Sequence, residues 1–143
     1  MSVVAWDGRT LAADKQSVAA SKLSTCTKIR KIKNGEVLAW TGDMDKGLLL
    51  AKWYEDGANP EQWPEFQKDK ERWCRLIVAF RGNVKIYEQQ PVSMRFEDAF
   101  SAWGAGQDFA IGAMAMGADA KKAVEITNEF SESCGKGVDA YES

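Results

Sequence analysis

Two residue pairs, Asp7-Gly8 and Asn34-Gly35, most constrain what this chain can fold into. Each sits between short apolar runs. Such pairs accept the positive φ angles of a tight reversal, so each reads as a β-hairpin and the strands beside it as antiparallel neighbours. The first hairpin is Ser2-Val-Val-Ala-Trp6, a turn, and a return ending Leu11-Ala-Ala-Asp14. The second runs from Thr27 to Lys33 and returns through Val37-Leu-Ala-Trp40. A third is expected from Arg75-Leu-Ile-Val-Ala-Phe80, a Gly82-Asn83 turn and Val84 to Glu88.

Helices fall between and after these hairpins. Gly42-Asp-Met-Asp45 opens an amphipathic segment carrying Leu48, Leu49, Trp53 and Tyr54, which Asp56-Gly57 closes. The acids at its start suit the positive end of a helix dipole. Residues 58–72 contain two prolines and are expected as a turn and a short helix anchored by Trp63 and Phe66. Residues 17–25, small and polar, read as a loop or weak edge strand, and residues 92–103 as one further strand. Residues 106–116 are rich in alanine and glycine and predict a helix buried on most sides. Asp119 caps a second helix over 120–130, and residues 138–142 form a closing strand. Hairpins interrupted by paired helices predict an α+β fold of antiparallel sheets covered by helices, in a single domain over residues 1–143.

Composition removes whole classes of chemistry. The 143 residues contain no histidine, so a Ser-His-Asp triad, a Cys-His dyad and a histidine zinc site are all impossible. Cys26, Cys74 and Cys134 are odd in number and far apart, which fits neither a disulfide framework nor a four-cysteine zinc site, so no metal is expected and a reducing, cytoplasmic compartment is. All three read as buried small hydrophobes, and Met114 and Met116 as core. The tryptophans Trp40, Trp53, Trp63 and Trp103 read as core or interface residues. A net charge of -2 offers no basic surface for nucleic acid, and no run of 18 apolar residues is present to span a membrane. No glycine-rich phosphate loop occurs, and no cofactor is called for. Asp7 and Arg9 interrupt any signal-peptide run, so the mature protein is expected to begin at the first hairpin. Any nucleophilic chemistry must take its base from a lysine, a carboxylate or the chain's own amino group.

Five stretches in order resemble the proteasome β-subunit family. They are Ser2-Val-Val, Leu11-Ala-Ala-Asp-Lys-Gln16, Thr27-Lys-Ile-Arg-Lys-Ile32, Thr41-Gly-Asp-Met-Asp45 and Gly104-Ala-Gly106, the last two each before a helix. The overall look is nearest the small bacterial and phage members related to the bacterial heat-shock peptidase. The resemblance implies a four-layer αββα sandwich with two antiparallel sheets between helix layers. It also implies a homo-oligomeric ring, a polypeptide substrate and an ATP-dependent unfoldase as a possible partner.

By the same resemblance Ser2 is the nucleophile once Met1 is removed, with its own α-amino group as base. Lys28 matches the family's catalytic lysine and Asp14 the acid that holds it. Thr41 and Gly42 lie at the turn that offers a backbone N–H to an oxyanion. Ala105 and Gly106, Ser131 and Cys134 fall at supporting positions. Ala105 stands where relatives carry a serine, and Ser131 where they carry an acid, with Glu129 or Glu132 as substitutes. Two readings follow: a peptidase of this kind, or a catalytically silent structural or assembly subunit that keeps Met1. A small-molecule amidase is a third, since such chemistry is not confined to peptides. Strand alternation puts Ser2 and Asp14 on one face only if the first hairpin's loop has an odd number of residues. The expected loop is Trp6-Asp7-Gly8, with Gly8 left-handed.

Overall fold

The computed structural model describes residues 2–143. The first hairpin forms from β1 (Val4–Trp6) and β2 (Thr10–Asp14). Its turn is built by Asp7, whose Oδ1 accepts from the amides of Arg9 at 2.9 Å and Thr10 at 2.7 Å, while Gly8 takes a φ of 92°. The other carboxylate oxygen accepts from the amide of Ala120 at 2.8 Å. One side chain thus sets the turn and docks it onto a later helix.

Residues 16–25 depart from the expected loop. They form their own two-stranded sheet, β3 (Gln16–Ala19) and β4 (Lys22–Thr25), closed by Ala20 and Ser21 with φ of 50° and 64°. The second predicted hairpin appears as β5 (Ile29–Lys31) and β6 (Val37–Thr41), with Asn34 Oδ1 accepting from the Glu36 amide at 2.9 Å. α1 (Met44–Glu55) follows. Over residues 58–72 the expected helix is replaced by two single 3-10 turns, Pro60–Gln62 and Glu65–Lys68. Trp63 is an anchor there, but Gln67 and not Phe66 is fully buried, because its amide bridges the Cys74 and Glu88 carbonyls and the Cys74 amide.

The third hairpin is β7 (Arg75–Phe80) with β8 (Asn83–Tyr87). The single strand expected over 92–103 is two: β9 (Met94–Phe96) pairs with β8, and β10 (Ser101–Trp103) pairs with β1, so the chain crosses between sheets here. α2 (Gln107–Ala115), α3 (Ala120–Phe130) and β11 (Val138–Glu142) complete the order. The helix α2 buries one side only, through Ala110 and Met114, while Phe109 and Met116 face solvent, which corrects the expectation of a core Met116.

Two antiparallel sheets result, in the orders β10-β1-β2-β11 and β5-β6-β7-β8-β9. The two-residue period of β1 sorts its side chains. Val4 and Trp6 pack with Ile29, Ala39 and Ile77 between the sheets, whereas Val3 and Ala5 pack with Ala110, Ala123 and Val124 beneath α2 and α3. On the outer face of the second sheet, Leu38, Trp40 and Leu76 meet Leu50, Ala51 and Trp53 of α1. The fold is therefore a mixed α/β arrangement whose apolar clusters lie between the sheets and beneath the helices. Among the described residues no helix is long and apolar enough to cross a membrane.

Candidate active site

The register of the first hairpin pairs Val4 with Ala13 and Trp6 with Leu11, so Val3 stands opposite Asp14 and the loop is even. The expected odd loop is not formed, and strand alternation alone would put the Ser2 and Asp14 side chains on opposite faces. Asp14 is connected to the start of the chain another way. Its Oδ1 accepts from the amide of Val3 at 3.1 Å, and its own amide donates to the Val3 carbonyl at 3.2 Å. The acid thus holds the backbone next to Ser2.

The same Oδ1 takes the ammonium of Lys28 at 2.9 Å. Both partners are buried, Asp14 completely. Burying either charge alone would be costly, so the pair exists because both are present and further donors fill the remaining lone pairs. Those donors are the amides of Gln16 and Gly135, each 3.2 Å from Oδ2. Gly135 lies 121 residues away in sequence, and no local signal announces it.

Ser2 is buried, and its hydroxyl has no hydrogen-bond partner among the described residues. Its carbonyl accepts from the Gly106 amide at 3.1 Å. Glycines shape this floor: a Cβ on Gly104 would lie 3.1 Å from the Ser2 hydroxyl and collide with the Ser2 carbonyl, and one on Gly106 would lie 2.9 Å from the Cys134 sulfur and 3.1 Å from Val3. Ala105 between them carries no hydroxyl.

Cys134 is buried beneath Val3 and Gly106, and desolvation raises its thiol to about 11, with the nearby Asp14 charge acting in the same direction. Ser131 caps this segment by accepting from the Ser133 amide at 3.2 Å. Glu129 and Glu132 are exposed; Glu132 contributes its backbone carbonyl, 3.0 Å from the Gln16 side-chain amide. Gln16 and Thr127, both buried against this floor, were not singled out by the sequence reading.

Register also fixes the other wall. Lys28 lies opposite Trp40, whose amide donates to the Lys28 carbonyl at 3.1 Å, so Thr41 and Gly42 follow directly at the end of β6. Gly42 has a φ of 107°, and a Cβ there would lie 3.1 Å from the Cys74 sulfur. Lys28 and Gly42 line one cleft of about 580 Å³ between β3 and the first turn of α1. Cys26 lines it too and is half-buried, unlike the core position expected for it. Among the described residues no three His, Cys, Asp or Glu side chains converge as a metal site. The arrangement holds a buried cation on the carboxylate that also takes the Val3 amide and offers a cleft to an extended ligand.

No protein-family model and no curated protein matches the sequence. Solved structures similar along the whole chain include the following three. Thiobacillus denitrificans BPH is 20% identical, with 100% of this chain and 97% of that one covered and a TM-score of 0.73. The same protein in complex with Epoxomicin is 19% identical, with 100% and 98% covered and a TM-score of 0.75. Eukaryotic HslV from Trypanosoma brucei is 20% identical, with 99% and 97% covered and a TM-score of 0.71. At such identities the likeness is one of fold, and the chain has the proteasome-like fold of BPH and HslV from end to end.

Proposed function

We propose that this chain is a proteasome-like N-terminal nucleophile peptidase, a single unit over residues 1–143 arranged as a four-layer αββα sandwich. The observation that carries the reading is the Ser2 hydroxyl, buried and without a partner among the described residues, one residue from the amide that Asp14 holds with the oxygen that also binds Lys28. A buried hydroxyl left unsatisfied is costly and calls for an explanation, of which a catalytic role is one.

With Met1 attached the Ser2 nitrogen is an amide and no base. Once Met1 is removed it is an amine with an ordinary pKa of about 7.7–8.0, and the Lys28 cation, held by the same carboxylate oxygen as the Val3 amide, disfavours its protonation. In the reaction Ser2 Oγ attacks a peptide carbonyl and gives its proton to that amine. Gly42 donates its backbone N–H to the oxyanion at the start of α1, where the helix dipole adds to the effect. The amine returns the proton to the leaving nitrogen, the C–N bond breaks, and water then hydrolyses the Ser2 ester. Asp14 keeps Lys28 charged and oriented, while Gly106, Ser131 and Cys134 shape the floor. The substrate is unfolded polypeptide reaching the interior of a homo-oligomeric ring in the cytoplasm, supplied by an ATP-dependent unfoldase.

The test begins with the intact mass. Loss of Met1, and hydrolysis of a fluorogenic peptide that falls by about 100-fold or more in Ser2→Ala and in Lys28→Ala, is expected. Retained Met1 or equal rates in all three proteins overturns the reading. A second reading, a silent structural subunit that keeps Met1, is favoured by the hydroxyl missing at Ala105 and the acid missing at Ser131. Retained Met1 together with ring assembly would establish it.

A further inference from the structure

Gln16 opens β3, yet its buried side chain bonds outside that ribbon: Nε2 donates to the Glu132 carbonyl at 3.0 Å, in the segment that joins α3 to β11. Three residues on, the same segment supplies Gly135. Its amide donates to Asp14 Oδ2 at 3.2 Å, and its carbonyl accepts from the Lys15 amide at 3.0 Å. A Cβ on Gly135 would lie 2.7 Å from the Gln16 Oε1, so the same side chain stands against residue 135 while it bonds residue 132. The segment's own sequence, Ser131-Glu-Ser-Cys-Gly-Lys-Gly137, is small and polar, with Glu132 and Lys136 exposed and Lys136 at a φ of 65°. Cys134 packs into the floor, but apolar packing is non-directional and does not aim the Gly135 amide. The hydrogen bond from Gln16 does. Asp14 Oδ2 takes only two amides, those of Gln16 and Gly135, while Oδ1 takes Lys28 and Val3. Both oxygens turn about one side-chain bond, so the donor that Gly135 brings to Oδ2 also sets where Oδ1 points.

We propose that Gln16 is a positioning residue of the site, whose side chain clamps residues 132–135 so that Gly135 keeps the Asp14 carboxylate turned toward Lys28 and Val3. Its effect on rate rests on the peptidase reading; its effect on Asp14 does not. A site held to a fraction of an ångström by such supporting bonds loses rate when one is cut, even with every reacting group still in place.

Gln16→Met keeps the side chain's length and the backbone amide that Asp14 takes, and removes only the donor to Glu132. Amide exchange of the full chain, followed by NMR, should quicken about ten-fold or more at Gly135 and Val3, while Ala39 and Ile77 in the second sheet keep their rates. The thermal midpoint should fall by no more than about 5 °C, as for one lost hydrogen bond. In protein that has lost Met1, kcat for a fluorogenic peptide should drop about ten-fold with KM changed less than about two-fold. Gln16 also lines the edge of the cleft, so a direct contact with substrate would show in KM instead. Gly135→Ala reaches the clamp from its other side by displacing the Gln16 oxygen. It should give the same exchange pattern, and the double variant should lose little beyond the worse single one. Unchanged exchange at Gly135 and Val3, a loss confined to KM, or additive losses overturns the proposal. Should Gln16→Met fail to fold, Gly135→Ala decides by the same exchange rates. Wild-type protein that has lost Met1 and hydrolyses nothing sinks the peptidase reading, and faster exchange at Gly135 and Val3 in the variants then still upholds the clamp.

Discussion

Two neighbouring stretches of chain, the end of β2 and the hairpin β3–β4, are held in opposite ways. Asp14 is fully buried, and its carboxylate takes four donors: the amides of Val3, Gln16 and Gly135 and the ammonium of Lys28. Beyond Gln16 the β3–β4 arm pairs, among the described residues, only within its own two-stranded sheet and turns Val18 and Leu23 to solvent. The contrast teaches where this fold is over-determined. The back of the cleft is fixed by backbone donors from three parts of the chain, while one of its walls is a short ribbon, which alone is marginal in water. The wall can therefore adapt to a ligand without disturbing the buried pair.

The largest test of that contrast is Asp14→Ala. It removes the carboxylate that takes four buried donors, the Lys28 ammonium among them, and should cost about 3–5 kcal/mol in urea unfolding, whereas Val18→Ser on the arm should cost less than about 0.5 kcal/mol. Similar losses at the two positions would erase the distinction.

Alkaline unfolding comes next. Burial raises the thiols of Cys74 and Cys134 from about 9 to about 11. Between those pH values the unfolded chain releases these protons and the folded chain keeps them, so stability falls as pH rises. The slope is at most about 1.4 kcal/mol per pH unit for each thiol. Urea midpoints at pH 8.5 and 10.5 measure it. An unchanged slope in the Cys74→Ala, Cys134→Ala double variant would assign the effect to other groups. The smallest effect is expected at the arm's own turn: Ala20-Ser21→Asn-Gly supplies residues made for positive φ and should gain about 0.5–1 kcal/mol. That gain should appear as slower amide exchange confined to residues 16–25. Slower exchange at Val3 and Gly135 as well would mean that arm and core are one cooperative unit.

The parts of the fold that local chemistry encodes were readable from sequence. Asp7-Gly8 and Asn34-Gly35 announce their hairpins, and Asp119 caps α3 by accepting from the Lys122 amide at 2.8 Å. The β3–β4 hairpin was hidden because Ala20 and Ser21 reverse the chain without being turn formers, and because its strands are built from small and polar residues. The split between β9 and β10 was hidden because nothing local tells a strand which sheet to join. In the site, the Asp14–Lys28 pair follows the resemblance, whereas strand alternation is a poor guide to how Asp14 reaches Ser2: the acid meets the start of the chain through the Val3 amide and not side chain to side chain across the hairpin. Gly135 carries no motif because its contact with Asp14 joins distant parts of the sequence, and so does the bond from the Gln16 side chain to the Glu132 carbonyl.

The pinned backbone around Ser2 reduces to a count of torsions. The Ser2 carbonyl is tied to the Gly106 amide, and the Val3 amide and carbonyl are both tied to Asp14. Between that anchored peptide plane and the Ser2 oxygen two rotatable bonds remain, ψ and χ1 of Ser2, and χ1 has three staggered wells. If a reaction used only one of those wells, the search over the other two would cost no more than RT ln 3, about 0.6 kcal/mol, a factor of three in rate.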